Sequence, residues 1–119
     1  MPRRESPLQS EMVQGTLDML ILRTLFLGPA HGQTIAHAIE RGSEDILQVE
    51  HGSLYPALHR LEAQGWIDAS WETSDKGKRA KFYKLTPTGK RQLTSEQTRW
   101  RQLSRAMALI LEPAPEGSR

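Results

Sequence analysis

The chain has 119 residues, no cysteine and a formal net charge of +2. This length suits one domain with a modest core, and the missing cysteines exclude disulfides and thiolate metal sites. The first residues, MPRRESPLQSE, are positively charged without an apolar stretch behind them, so no signal peptide is expected. The longest apolar stretch, residues 19–27, contains Arg23 and is far shorter than the roughly 20 residues that span a bilayer. We therefore expect a cytoplasmic protein with no membrane partner.

The charge is unevenly distributed along the chain. Residues 76–105 contain ten lysines and arginines against one acidic residue, Glu96, whereas residues 1–75 contain five basic and eleven acidic residues. A solvated basic turn would explain an isolated run of cations. A long cationic segment also creates a local positive field that attracts phosphate.

The first half of the chain predicts two short helices. Residues 14–27 form the first, with Leu17, Leu20, Ile21, Thr24 and Leu25 on its apolar face, and Gly28-Pro29 ends it. Residues 34–41 form the second, which carries Ile35, Ala38 and Ile39 and stops at Gly42. The connector 43–50 offers Ile46, Leu47 and Val49 to cover the core.

The segment HGSLYPALHRLEAQGWI, residues 51–67, predicts a recognition helix. Ser53 is the expected N-cap, which would put Pro56 in the first turn, and Gly65 is the expected stop. A stripe at helical spacing should be buried: Leu54, Ala57, Leu58 and Leu61. The opposite side is predicted to contact DNA: Ser53, Tyr55, Pro56, His59 and Arg60. Tyr55 would reach a phosphate or a base edge, and Arg60 would read guanine unless it merely caps a solvated face.

The following segment predicts a β-hairpin with a cationic tip. Ile67, Ala69 and Trp71 alternate with polar residues and should point inward, and Ser74-Asp75-Lys76-Gly77 has turn chemistry. The returning strand should turn Tyr83 and Leu85 inward and Phe82 and Lys84 outward. Four cations are predicted to contact DNA, either along the phosphate backbone or in the minor groove: Lys76, Lys78, Arg79 and Lys81.

The last predicted element is a long helix that starts near Pro87. Apolar residues recur along it at spacings of three and four, with a polar break at Glu96. The predicted dimer seam contains Leu93, Trp100, Leu103, Met107 and Ile110. A helix docked on its own domain would also explain the pattern, but an extra seam beyond a complete core favours a second copy of the chain.

Together these elements predict an α+β, mostly α fold: a winged helix-turn-helix with a two-stranded β-wing and a C-terminal dimerisation helix. The expected division is a DNA-binding domain at 11–86, a dimerisation helix at 87–111, and disordered tails at 1–10 and 112–119.

Four segments in order resemble the PadR family of bacterial transcriptional regulators: GTLDMLILRTL, HGQTIA, GSLYPALHRLEAQGWI and YKLTPTGK. The resemblance covers about residues 15–93, and the third segment is its most specific part. One position departs from the family pattern, because Gln33 stands where an aromatic residue often follows His-Gly. The resemblance implies dimerisation through C-terminal helices, often helped by the first helix. It also implies a possible small aromatic or drug-like effector at the dimer interface, near Trp100.

The sequence therefore predicts a homodimeric transcriptional regulator, a repressor that binds an inverted repeat in double-stranded DNA. The alternative is a winged helix that contacts only proteins, which the concentrated basic charge disfavours. An enzyme is not expected, because the chain has no Gly-rich phosphate loop, nucleophile elbow or convincing acid/base pair. The four histidines, at 31, 37, 51 and 59, lack metal-ligand spacing, so no metal or cofactor is expected.

Overall fold

The computed structural model describes residues 14–73, 76–112 and 114. Within them the chain forms four helices and three strands. The helices are α1 (Gln14–Phe26), α2 (Gly32–Gly42), α3 (His51–Ala63) and α4 (Pro87–Leu111). The strands are β1 (Ala30–His31), β2 (Ile67–Thr73) and β3 (Arg79–Leu85). The predicted tail at 1–10 lies outside the described residues, as do residues 113 and 115–119 of the predicted tail at 112–119 and the turn residues Ser74 and Asp75.

Helix α1 lies at the centre of the domain. It packs against α2, α3, α4 and β3, so it is buried on more sides than the single predicted face. Leu22 and Met19 join the predicted Leu17, Ile21 and Leu25 in the core. The stripe predicted for α3 is also buried in this core: Leu54, Ala57, Leu58 and Leu61.

The three strands form one antiparallel sheet in the order β1-β3-β2. The two-residue β1 was not predicted, because too few residues alternate in it to give a strand pattern. It pairs Ala30 with Tyr83 and His31 with Phe82, and it ties the turn after α1 to the hairpin. Trp71 was predicted to point inward but is 58% exposed. The hairpin extends beyond the helices at that point, so no core remains for Trp71 to enter.

Helix α3 begins at His51, and Ser53 is therefore not its N-cap. Glu50 occupies that position, and its carbonyl accepts hydrogen bonds from the N–H groups of Ser53 and Leu54, both at 2.9 Å. The N–H of Val49 donates to Glu40 Oε2 at 2.9 Å, which fixes the end of the connector just before the helix. Pro56 therefore lies inside the helix, beyond its first turn.

Helix α2 and the connector differ from the prediction in which side chains they bury. Ala36, rather than Ala38, joins Ile35 and Ile39 in the core. In the connector only Val49 is fully buried, while Ile46 is exposed. Two consecutive connector residues, Glu44 and Asp45, adopt positive φ angles of 53° and 64°. This tight turn carries the chain away from the core before α3 begins.

The start of α4 is fixed to the base of the hairpin. Thr86 is its N-cap, with Oγ1 accepting from the N–H of Gly89 at 3.0 Å and donating to the carbonyl of Gly65 at 2.8 Å. Pro87 occupies the first turn, as predicted. Leu93 is buried in the domain core. From residue 98 onward almost every residue of α4 is exposed, because the helix extends past the domain.

Candidate nucleic-acid interface

The outer side of α3 presents a largely uncharged surface. Ser53, Pro56 and His59 are exposed, and Tyr55 is 46% exposed. A shallow groove runs along this side, lined by Tyr55, Pro56, His59, Arg60 and Ala63. The burial of the opposite stripe fixes the rotation of the helix, so these side chains stay directed away from the core.

Tyr55 lies close to the first residue of α2. A Cβ atom added to Gly32 would stand 2.9 Å from both Cε1 and Oη of Tyr55, closer than real Cβ atoms approach. The tyrosine ring also contacts the imidazole of His51, on the same helix, in an edge-on arrangement with ring centroids 5.7 Å apart. Gly32 and His51 therefore hold the ring between the two helices of the helix-turn-helix, with its phenol edge near the N-terminus of α2.

Arg60 is partly buried and paired, in contrast to the exposed position predicted for it. Its Nη2 donates to Asp18 Oδ1 on α1 at 2.9 Å. The angular position of Arg60 on α3, between the outer side and the buried stripe, brings the guanidinium to α1. Sequence reasoning missed this contact because Asp18 and Arg60 are far apart in the chain and each looks like an ordinary surface charge.

Asp18 lies in a poorly solvated position, with its side chain only 15% exposed. Burial raises the pKa of its carboxyl above the ordinary value of 3.8, although the hydrogen bond and positive charge of Arg60 both lower it. The negative charge of Glu96 on α4 adds to the rise. Desolvation therefore outweighs the ion pair at this site.

The cations predicted for the wing lie in strand β3 and in the turn just before it. Arg79 and Lys81 share a face of β3, since alternate residues of a strand point the same way, and Lys76 and Lys78 follow the tip. Lys76, Lys78 and Arg79 are exposed, whereas Lys81 is partly buried. Lys81 Nζ lies 3.6 Å from Glu62 Oε1 on α3. This contact puts the cationic face on the same side of the domain as α3.

Trp71 is a candidate contact that the sequence reasoning did not include. Its register partner is Lys81, so it lies on the cationic face. The guanidinium carbon of Arg79 stands 5.5 Å from the centroid of the Trp71 ring. The period-two pattern identified the face correctly but could not show that the core ends before residue 71.

The distal part of α4 carries a second exposed surface, which is apolar. Trp100, Leu103, Met107 and Ile110 are 50–76% exposed. Leu93, the first residue of the predicted seam, is only 3% exposed and packs within its own domain. The seam available to a partner therefore begins near Trp100.

Two kinds of feature are absent from the described residues. Between residues 14 and 114, outside the gaps at 74–75 and 113, no three His, Asp or Glu side chains are grouped so that they could hold a metal ion. None of the helices described is long and apolar enough to cross a bilayer.

A helix-turn-helix followed by a β-hairpin, with a cationic hairpin face beside the second helix, defines the winged helix-turn-helix class. The chain belongs to the transcriptional regulator PadR-like family, which it matches over residues 21–95. Members of this family are DNA-binding transcriptional regulators and not enzymes. The predicted fold class and family are thereby confirmed.

Individual relatives agree with this assignment. A transcriptional regulator of Mycobacterium tuberculosis is 33% identical over 75 residues, which cover 63% of this chain and 66% of that protein. A PadR family transcription regulator from Clostridium difficile has a similar structure, with a TM-score of 0.70 and 30% identity over 80% of this chain and 97% of the other. A transcriptional regulator from Clostridium thermocellum shares the fold, with a TM-score of 0.78 at 24% identity over 86% and 99% of the two chains.

Proposed function

We propose that the protein is a homodimeric repressor that binds an inverted repeat in double-stranded DNA. The observation that carries the proposal is that α3 adjoins the cationic face of the wing. The Lys81–Glu62 contact joins them. A helix of this size fits the major groove, and cations beside it can neutralise the flanking phosphates.

The two surfaces would contact different parts of the DNA. On α3, Ser53, Tyr55, Pro56 and His59 would approach base edges and the adjacent backbone. Arg60 would join them only through N–H groups that Asp18 does not use, since one already donates to that carboxylate. On the wing, Lys76, Lys78, Arg79 and Lys81 would contact phosphates, which gives affinity without sequence preference.

The dimer is supported by the overhanging part of α4. Its exposed apolar residues form a strip on a helix that has left its own domain, and contiguous apolar surface of this kind marks an interface. Two copies joined by α4 would carry two α3 helices, which suits an inverted repeat with half-sites about 34–36 Å apart. A protein bound over such a site would block transcription from a promoter that overlaps it.

Measuring DNA binding across salt concentrations tests the proposal. Duplexes selected from a random pool should bind with an affinity that falls steeply as salt rises, because phosphate contacts release counterions. Replacing Lys78 and Arg79 by alanine should weaken binding and reduce the salt slope by about two units. A reporter gene placed behind the selected site should be repressed.

A matched control removes two cations away from the proposed interface. Lys84 lies on the other face of β3 and Lys90 lies on α4, and both are exposed. Their double alanine variant should keep the wild-type slope. If both double variants have the wild-type slope, the wing does not contact phosphate. If the wild-type protein binds no duplex at any salt concentration, a protein-interaction module becomes the better explanation.

A further inference from the structure

Trp71 is an exposed aromatic side chain in the middle of a cationic hairpin. More than half of its surface is in contact with solvent, at 58% exposure. Single exposed apolar residues are common and need no explanation by themselves. The position of Trp71 is informative because two cationic side chains, Lys81 and Arg79, lie on the same face of the sheet.

The neighbours of Trp71 on that face are Ala69 and Tyr83 toward the core, and polar or positively charged residues beside it and toward the tip. Lys81 is its direct partner across the ladder, and Thr73 and Arg79 form the next pair toward the tip. The guanidinium of Arg79 lies over the indole ring, 5.5 Å from its centroid, which is within the range of a cation–π interaction. Lys81 continues the face to Glu62 on α3. The face that carries the indole therefore lies beside α3.

We propose that Trp71 and Arg79 act as one minor-groove-binding unit, in which the indole holds the guanidinium in position and itself contacts the deoxyribose wall. This inference rests on the proposed DNA-binding function and adds Trp71 to the wing as the residue that positions Arg79. A guanidinium stacked on a ring loses rotamer freedom before binding, so less conformational entropy is lost in the complex. Its N–H groups can still donate to acceptors on the DNA.

The minor groove fits both the position and the chemistry of the pair. If α3 occupies the major groove, the hairpin that follows it reaches the next groove along the same side of the duplex, which is the minor groove. The floor of that groove presents the acceptors N3 of adenine and O2 of thymine, and the guanine amino group blocks it in G·C pairs. A·T-rich minor grooves are narrow and strongly negative, which favours arginine. The apolar indole can cover the sugars that form the walls.

Binding measurements on a duplex recovered by selection test the pair. Trp71→Ala should weaken binding about twofold to tenfold but leave the salt slope unchanged, because no cation is removed. Arg79→Ala should weaken binding and lower the slope by about one unit. The double variant should lose less affinity than the sum of the two single losses, because part of the effect of Trp71 acts through Arg79. Trp71→Phe should keep most of the affinity, and Lys84→Ala, a cation removed from the other face of the same strand, should bind like the wild type.

Base analogues in the flanking segment identify the groove. Inosine·cytosine pairs resemble G·C in the major groove but lack the amino group in the minor groove. Replacing flanking A·T pairs with G·C should therefore weaken wild-type binding, whereas inosine·cytosine should not, and this preference should shrink in Trp71→Ala. Three results would each overturn this proposal and leave the proposed function intact. They are wild-type affinity and flank preference in Trp71→Ala, additive effects in the double variant, and equal effects of inosine and guanine. Absence of any wild-type DNA binding would overturn the proposed function together with it.

Discussion

The contact between Gly32 and Tyr55 shows how a single missing side chain can define a binding surface. Tyr55 could rotate freely on an isolated α3 helix. In the folded domain its ring lies only 2.9 Å from the place that a β-carbon of residue 32 would take. The His-Gly pair at the start of α2 was noted only as part of a family pattern. Its physical role here is to leave space for an aromatic side chain 23 positions further along the chain.

Gly32→Ala should weaken DNA binding by about 1 kcal/mol, roughly fivefold in Kd, because the new methyl group displaces Tyr55 from its position. Fluorescence anisotropy with the selected duplex measures this change. Gly42→Ala is the matched control, since it changes the same helix at a position with no atom within 4 Å. Equal affinity of Gly32→Ala and wild type would show that the position of Tyr55 does not matter for binding.

Asp18 should give the protein an unusual pH dependence. Since burial raises its folded pKa above the ordinary value, the folded state holds a proton that the unfolded state has released. The stability contributed by the protonated carboxyl is therefore present below about pH 4 and is lost as pH rises through the raised pKa. Urea unfolding of wild type and Asp18→Asn should show the wild type losing stability relative to the variant over that window. The opposite trend would mean that pairing with Arg60 outweighs burial.

At the scale of the elements, several close contacts fix the junction between the hairpin and α4. Thr86 caps α4 and also donates to the carbonyl of Gly65, so one residue links the end of α3 to the start of α4. Gly89 lies directly against the backbone of Trp66. This close approach fixes the direction in which α4 leaves the domain.

Gly89→Ala should destabilise the domain by about 2–3 kcal/mol, because the added Cβ would overlap the carbonyl oxygen of Trp66 and crowd Leu85. Urea unfolding at a fixed protein concentration measures the loss, since dimerisation makes stability depend on concentration. Gly15→Ala, at a helical position with nothing within 4 Å, should cost much less. Similar stabilities for the two variants would contradict the close packing of α4 on the hairpin.

At the scale of the whole molecule, the main feature is that helix α4 extends beyond the domain from which it starts. The extents of 64 × 43 × 24 Å describe an elongated shape, and the exposed end of α4 contributes to it. Trp100, Leu103 and Met107 line a shallow hollow on this end. The proposed dimer would cover it and would set the distance between the two α3 helices.

Trp100→Ala should shift the protein toward monomer, at a cost of about 2 kcal/mol or more in dimer stability. Analytical ultracentrifugation measures the shift, and DNA binding should weaken with it although Trp100 lies far from α3 in sequence. Leu109 is the matched control: it is exposed on the same helix, but its spacing puts it on the opposite side from the seam. A wild-type monomer at micromolar concentration, or equal effects of the two alanine variants, would contradict the proposed interface.

The sequence by itself determined the order of the four helices and of the two hairpin strands, because hydrophobic periodicity is a local property. The stripe from Leu54 to Leu61, Thr86-Pro87 at the start of α4 and the alternation of the hairpin needed no knowledge of distant residues. Sequence-distant contacts decided the rest. Helix α3 begins at His51, Arg60 pairs with Asp18 on α1, and Trp71 stays exposed while Leu93 is buried. These outcomes depend on where the core ends in space, and that boundary exists only once the helices have packed against one another.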